Sequence, residues 1–127
     1  MAVFEEGLYS FISGLGLACA SRIYPLRLPL EVVLPAMTYQ MISDPKNYTQ
    51  SGQDKLCEPR YQFNSWGANY ADAKTLAEAF ITAIGGYKGS MGAFTVYASF
   101  AEDSRDNVDP VTGRCWVSVD VIIANAS

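Results

Sequence analysis

Arg60-Tyr61-Gln62-Phe63-Asn64-Ser65-Trp66 alternates large apolar with polar side chains, and only Gly67-Ala68 separates it from Asn69, where a helical pattern begins. A period of two predicts a strand with one buried face. From Asn69 the period changes. Tyr70, Ala73, Leu76, Ala77, Phe80, Ile81 and Ile84 fall on one helical stripe, with Asn69 as N-cap, Asp72 three residues on, and Gly85-Gly86 as the stop. Lys74 and Glu78 belong to the solvent side. A strand joined almost directly to an amphipathic helix makes this a sheet with a helix packed on it.

Working outward, Phe4, Leu8, Phe11, Ile12 and Leu15 predict a first helix that opens on Glu5 and Glu6, where carboxylates favour the helix dipole, and ends at Gly14 and Gly16. Arg22-Ile23-Tyr24 reads as a short strand, and the three prolines between Pro25 and Pro35 require an extended connector. Ala36 to Ile42 alternates and forms a hairpin with the Arg60 strand, its polar tip running from Ser43 to Asp54. Pro59 belongs at a bulge or an edge. Phe94, Val96, Ala98 and Phe100 alternate with Thr95, Tyr97 and Ser99 in one strand, and Cys115 to Ile123 alternate in another. Asp109-Pro110 and Gly113 supply the turn of this second hairpin. The fold class is α+β: a mainly antiparallel sheet of two hairpins plus a short strand, with two helices packed on one face. All 127 residues form a single domain.

The composition narrows the chemistry. Half of the residues are hydrophobic, so the chain can bury a core. There are nine basic and thirteen acidic residues, a net charge of −4, and the cations are scattered. That balance argues against a tight grip on nucleic acid, which depends on neutralising phosphates. Histidine is absent, which removes the usual base near neutral pH and the commonest metal ligand. Cys19, Cys57 and Cys115 are odd in number and widely spaced, which fits free thiols better than a disulfide framework. No apolar run approaches the roughly 18 residues that span a membrane, and the acidic start at Glu5-Glu6 is unlike the basic head of a signal peptide. The expectation is a chain made in the cytoplasm with no cofactor, no metal and no enzyme activity.

Three features invite sharper readings. Glu102, Asp103, Asp106 and Asp109 crowd one segment, but they lack the order of a calcium loop and have Arg105 among them, so a solvated hairpin tip or a docking loop is expected. Gly85 to Gly92 resembles a phosphate cradle, yet it lacks Gly-Lys-Ser/Thr and is followed by a strand, so it reads as a flexible connector. Met37, Tyr39 and Met41 form a soft stripe suited to core packing or to an adaptable interface.

The sheet face opposite the helices is unusual in kind. Thr38, Gln40, Gln62, Asn64, Thr95, Ser99 and Ser118 are neutral amides and hydroxyls, with Trp66, Tyr97, Trp116 and Ile122 among them. A solvent-facing sheet ordinarily carries more Lys and Glu. Such a face suits contact with another subunit.

Arg22-Ile23-Tyr24-Pro25 after a first helix, Leu34-Pro35 leading into a strand with Tyr39-Gln40, a strand ending in Trp66, and Tyr70-Ala71-Asp72-Ala73-Lys74-Thr75-Leu76-Ala77 occur in an order that resembles the tail completion proteins (tail terminators, or tail-to-head joining proteins) of long, non-contractile-tailed phages. The likeness spans nearly the whole chain. It implies a small α+β subunit that forms a ring, expected to be hexameric, on the tail tube. The ring would end tube polymerisation, meet the head connector, and let DNA pass through its lumen without sequence-specific binding. The implied place is the virion, at the head–tail joint, with the tail tube protein, the head-completion protein and other copies of the chain as partners. Arg60, Gln62, Asn64, Ser99, Ser118 and Asp120 are the expected lumen or subunit-interface residues, and Asp103, Arg105, Asp106 and Asp109 the expected docking loop. On this reading Arg60→Glu or Asp120→Lys would disturb ring closure or DNA passage and leave the monomer folded. The alternatives are another neck or tail-tube subunit, a small-molecule binding module, and an enzyme built on Cys115 or on Asp103 and Asp106, the last lacking any histidine base.

Overall fold

A computed structural model describes residues 4–45, 48–49, 52–53 and 57–126. The chain runs α1 (Phe4–Ser13), β1 (Ile23–Pro25), β2 (Ala36–Ser43), β3 (Tyr48–Thr49), β4 (Gly52–Gln53), β5 (Arg60–Gly67), α2 (Tyr70–Ile84), β6 (Gly89–Met91), β7 (Phe94–Val108) and β8 (Cys115–Ala126). Six strands form one sheet in the order β1-β2-β5-β8-β7-β6, and β3 with β4 makes a separate ribbon. Only the β1–β2 pair of the large sheet is parallel. The fold is α+β, with two helices and a mostly antiparallel sheet. The expected polar tip at Ser43–Asp54 carries the β3–β4 ribbon, and its residues 46–47, 50–51 and 54 lie outside the described residues.

The junction between β5 and α2 works because residue 67 is glycine. Along β5, Tyr61, Phe63, Ser65 and Gly67 are buried and the residues between them half-buried. A Cβ on Gly67 would lie 2.5 Å from the Ala73 backbone nitrogen, so the strand can turn into the helix this tightly only without a side chain there. Asn69 then caps α2, its side-chain oxygen accepting from the Asp72 N–H at 2.9 Å. Ala73, Leu76, Ala77, Phe80 and Ile84 face the sheet. Tyr70 leaves the expected stripe: it is exposed and donates its hydroxyl to Asp106 at 3.1 Å.

Both helices pack on the face that carries Tyr61, Phe63, Val117, Val119 and Val121. Phe80 of α2 meets Phe63 at 4.7 Å between ring centres, and Phe4 of α1 meets Phe94 edge-on at 5.6 Å. Each such ring contributes roughly 1.5–3 kcal/mol through burial, so this layer fixes which sheet face remains open. The Met37 stripe divides: Met37 is fully buried, whereas Met41 is largely exposed at the far end of β2.

Three expectations are corrected. The glycine-rich segment after α2 includes a strand, β6, which pairs with Phe94–Val96. The hairpin of β7 and β8 is much longer than the sequence suggests, because β7 continues to Val108 and pairs as far as Cys115. Finally, the alternation of β7 breaks. A register shift between Val96 and Ala98 places Ser99 opposite Ile123 on the helix side, where it is buried, and turns Phe100 outward opposite Ile122.

Candidate functional site: the polar sheet face and its edge

The open face is built by cross-strand partners. Gln40, Gln62 and Asp120 stand in one row across β2, β5 and β8; Thr38, Asn64 and Ser118 form the next; Ala36, Trp66 and Trp116 the third. Beyond β8, Asp103, Arg105 and Asn107 of β7 complete these rows. The amides and hydroxyls satisfy one another. Ser118 donates to Asn64 at 2.7 Å and receives from the Asn107 amide at 3.3 Å. Gln40 and Gln62 join across 3.4 Å. Trp66 donates its indole N–H to the buried Thr38 hydroxyl at 3.0 Å and stacks on Trp116 with ring centres 4.6 Å apart.

At the other end of the face the charges pair. Asp120 lies 3.8 Å from Arg60 and 3.4 Å from Arg105, with its side chain only 17% exposed. Arg60 also bonds to Glu102, and Arg105 to Asp103 at 2.8 Å. The hydrogen bonds and charge of Asp120 hold the Arg105 guanidinium above its ordinary pKa. The cations of this face are therefore committed within the chain.

Of the residues expected to line this face, Arg60, Gln62, Asn64, Ser118 and Asp120 are gathered on it. Ser99 is not, for the register reason given above. The expected docking loop is mostly strand. Asp103 and Arg105 point to the polar face; Asp106, opposite Val117, faces α2 and accepts from Tyr70 and Lys74. Asp106 raises the pKa of Lys74. Only Asp109 occupies the turn, where it accepts from the Val111 N–H and the Thr112 hydroxyl, and these bonds lower its pKa. Backbone pairing with β8 keeps this polar stretch extended without any need for burial. Charges along such an edge also discourage unwanted strand pairing.

Asn107 belongs to the site and stands outside the expected set, since it falls in a stretch whose polarity reads as loop; Glu102, expected only in an acidic tip or docking loop, bonds to Arg60. The signal that could have found Asn107 is the alternation of Asp103, Arg105 and Asn107, which continues the period of two without apolar partners.

Chemically, the face is a surface of hydrogen-bonded dipoles and paired charges. Cys19 is buried and Cys57 and Cys115 are half-buried. Among the described residues no group of three or more His, Cys, Asp or Glu side chains could hold a metal ion, and no helix is long and apolar enough to cross a membrane.

A chain from the virion of a native gene transfer agent particle has the same fold. The match covers 99% of this chain and 96% of that one, with a TM-score of 0.62 and 10% sequence identity. No protein-family model matches the sequence, and no curated protein does. The resemblance in fold therefore runs from end to end.

Proposed function

We propose that this chain is a structural subunit of a phage-like virion, and within it a tail terminator: a ring, expected to be hexameric, that caps the tail tube, ends its polymerisation and joins it to the head connector. The observation that carries the reading is the end-to-end fold likeness to a chain of a gene transfer agent virion. The order of the Arg22–Pro25, Leu34-Pro35, Trp66 and Tyr70–Ala77 motifs narrows it to the terminator role. The polar face adds support. Its arginines are neutralised by Glu102, Asp103 and Asp120, and the rest of it is amide, hydroxyl and indole. A lumen wall of this kind offers no free cations to hold phosphates, so DNA would slide past it. The proposed partners are further copies of the chain, the tail tube protein and the head-completion protein, and the proposed location is the head–tail joint.

Solution mass combined with negative-stain imaging, with and without purified tail tubes, tests this. Rings of about six chains, or density on one end of the tubes, are the expected result. Density along the tube or only on the connector would assign it to another neck or tube position. A chain that stays monomeric and ignores tubes would overturn the proposal.

A further inference from the structure

Over much of its length β7 is held from one side only, since β6 pairs with Phe94–Val96 alone. Between the pairs Val96–Asn125 and Asp103–Asp120, the six residues Tyr97–Glu102 run against the four residues Val121–Ala124 of β8, so two are surplus. The surplus is split, one residue at Tyr97 and one at Glu102. Each extra residue re-aims the side chains that follow it. Ala98–Ala101 therefore owes its register to where two bulges sit, not to continuity with the rest of the strand.

That register suits its side chains badly. Ser99 is 2% exposed, and its hydroxyl has no hydrogen-bond partner among the described residues. Burial of an unpaired hydroxyl opposes folding. The next residue, Phe100, is 56% exposed on the polar face. A slip of one residue reverses both, because side chains alternate along a strand.

Two slips fit the geometry. Gathering both surplus residues at Tyr97–Ala98 would set Glu102 opposite the fully buried Val121, placing a carboxylate on the helix side and breaking its bond to Arg60. Gathering them at Ala101–Glu102 carries no such penalty. Tyr97 then faces Ala124, Ala98 faces Ile123, Ser99 faces Ile122 and Phe100 faces Val121. The Ser99 hydroxyl reaches the open face. Ala98 takes the buried place, and its carbonyl can accept from the Gly86 N–H as the Ser99 carbonyl does at 2.9 Å. Phe100 enters where Ala101 stands, beside a groove of about 440 Å³ between α2 and β7 that is lined there by Ile81 and Val119 and edged by polar groups. The ring has room at that place.

We infer that Tyr97–Glu102 is a two-register segment, which slips one residue along β8 to carry Phe100 from the polar face to the helix side and Ser99 the other way. The flanking pairs Val96–Asn125 and Asp103–Asp120 stay in place, so the sheet on either side is undisturbed. The slip decides whether the open face presents an aromatic ring or a hydroxyl beside Ile122. It is a property of the single chain and does not rest on the ring reading.

Engineered disulfides test it, in a chain that carries Cys57→Ser and Cys115→Ser. Phe100→Cys with Ile122→Cys joins residues already opposite each other and is the control for oxidation. Ser99→Cys with Ile122→Cys can close only after the inferred slip, because the two side chains otherwise lie on opposite faces of the sheet. Ala101→Cys with Ile122→Cys can close only after the opposite slip. The bridge between positions 99 and 122 is expected to form about tenfold faster than that between 101 and 122, since only the opposite slip buries Glu102. Equal rates would mean simple fraying. That result, a faster bridge from position 101, or none from position 99 overturns the inference. A second readout leaves Ser99 and β8 intact. With trifluoromethylphenylalanine in place of Phe100, fluorine NMR should show two ring signals, of which one shifts between ordinary and heavy water. Ser99→Ala, which removes the buried hydroxyl, should favour the solvent-exposed signal by about tenfold. A single signal, or a ratio that Ser99→Ala leaves unchanged, overturns it as well.

Discussion

Tyr61 donates its hydroxyl to a Glu5 carboxylate oxygen at 3.0 Å, tying the first turn of α1 to the middle of the sheet. Tyr61 is 1% exposed, and burial first, then the charge of Glu5, pushes its pKa far above the ordinary tyrosine value. Tyr61→Phe removes a hydrogen bond to a charged group, so a loss of about 1.5 kcal/mol is expected near pH 7. The sign of the alkaline effect follows from the raised pKa. Below about pH 10 both folded and unfolded tyrosine hold the proton, and stability is fully present. Above it the unfolded chain releases the proton first, so stability falls as pH rises toward the folded value. Tyr61→Phe should therefore lose stability less steeply above pH 10, by about 1.4 kcal/mol per pH unit. Urea midpoints of both proteins between pH 7 and 11.5 decide it; parallel slopes would rule the linkage out.

Gly7 lies where α1 crosses β6, and a Cβ there would overlap the Met91 carbonyl. Alanine favours the helix by about 1 kcal/mol over glycine. Backbone is what it would strike, and overpacking of this kind costs about 1–3 kcal/mol or more. Gly7→Ala should thus be a net loss, measurable as a lower thermal midpoint. Gly14→Ala, whose nearest neighbour would be the Ser10 carbonyl oxygen at 3.4 Å, should stay close to wild type.

The β7–β8 turn should be sensitive to acid. Asp109 has its pKa lowered, chiefly by the Val111 N–H and the Thr112 hydroxyl. The stabilisation is therefore present above the unfolded value of about 3.9 and lost as pH falls through the lower folded one. Asp109→Asn keeps an acceptor for Val111 and should remove the pH dependence; Asp109→Ala should open the turn. Hydrogen exchange of the Gly113 amide, which donates to the Asp109 carbonyl at 2.8 Å, reports on both. Exchange in Asp109→Ala as slow as in wild type would show that the side chain does not hold the turn.

The β5–α2 segment was legible because periodicity, cap and breaker agree there: Tyr61, Phe63 and Phe80 are buried and Asn69 caps the helix. The edge of the sheet was not. Ser104 to Val108 owes its extended form to backbone pairing with Cys115 to Val119, and such pairing leaves no mark on side-chain polarity. The shift between Val96 and Ala98 inverts the face of every residue up to the next shift, and an unbroken alternation conceals it. For the same reason five expected face residues meet on one surface while Ser99 falls on the other.

The charged end of the polar face separates two kinds of variant. Asp120 is held between Arg60 and Arg105, so Asp120→Lys would crowd three cations into a mostly buried corner. The expected cost is about 1–3 kcal/mol in the monomer itself, and it would mask any effect on assembly. Arg60→Glu likewise places a carboxylate beside Glu102 and Asp120. Gln62 is a cleaner probe, since it is half-buried and, among the described residues, its side chain bonds to Gln40 at 3.4 Å and to no charged group. Gln62→Lys should leave the melting point nearly unchanged and add one cation per subunit to the face. If that face lines a DNA passage, assembled rings of Gln62→Lys should retain DNA at low salt and release it as salt rises, and ejection from variant particles should slow. Wild-type rings should show neither effect. Retention and ejection identical in the two proteins would place the polar face away from DNA.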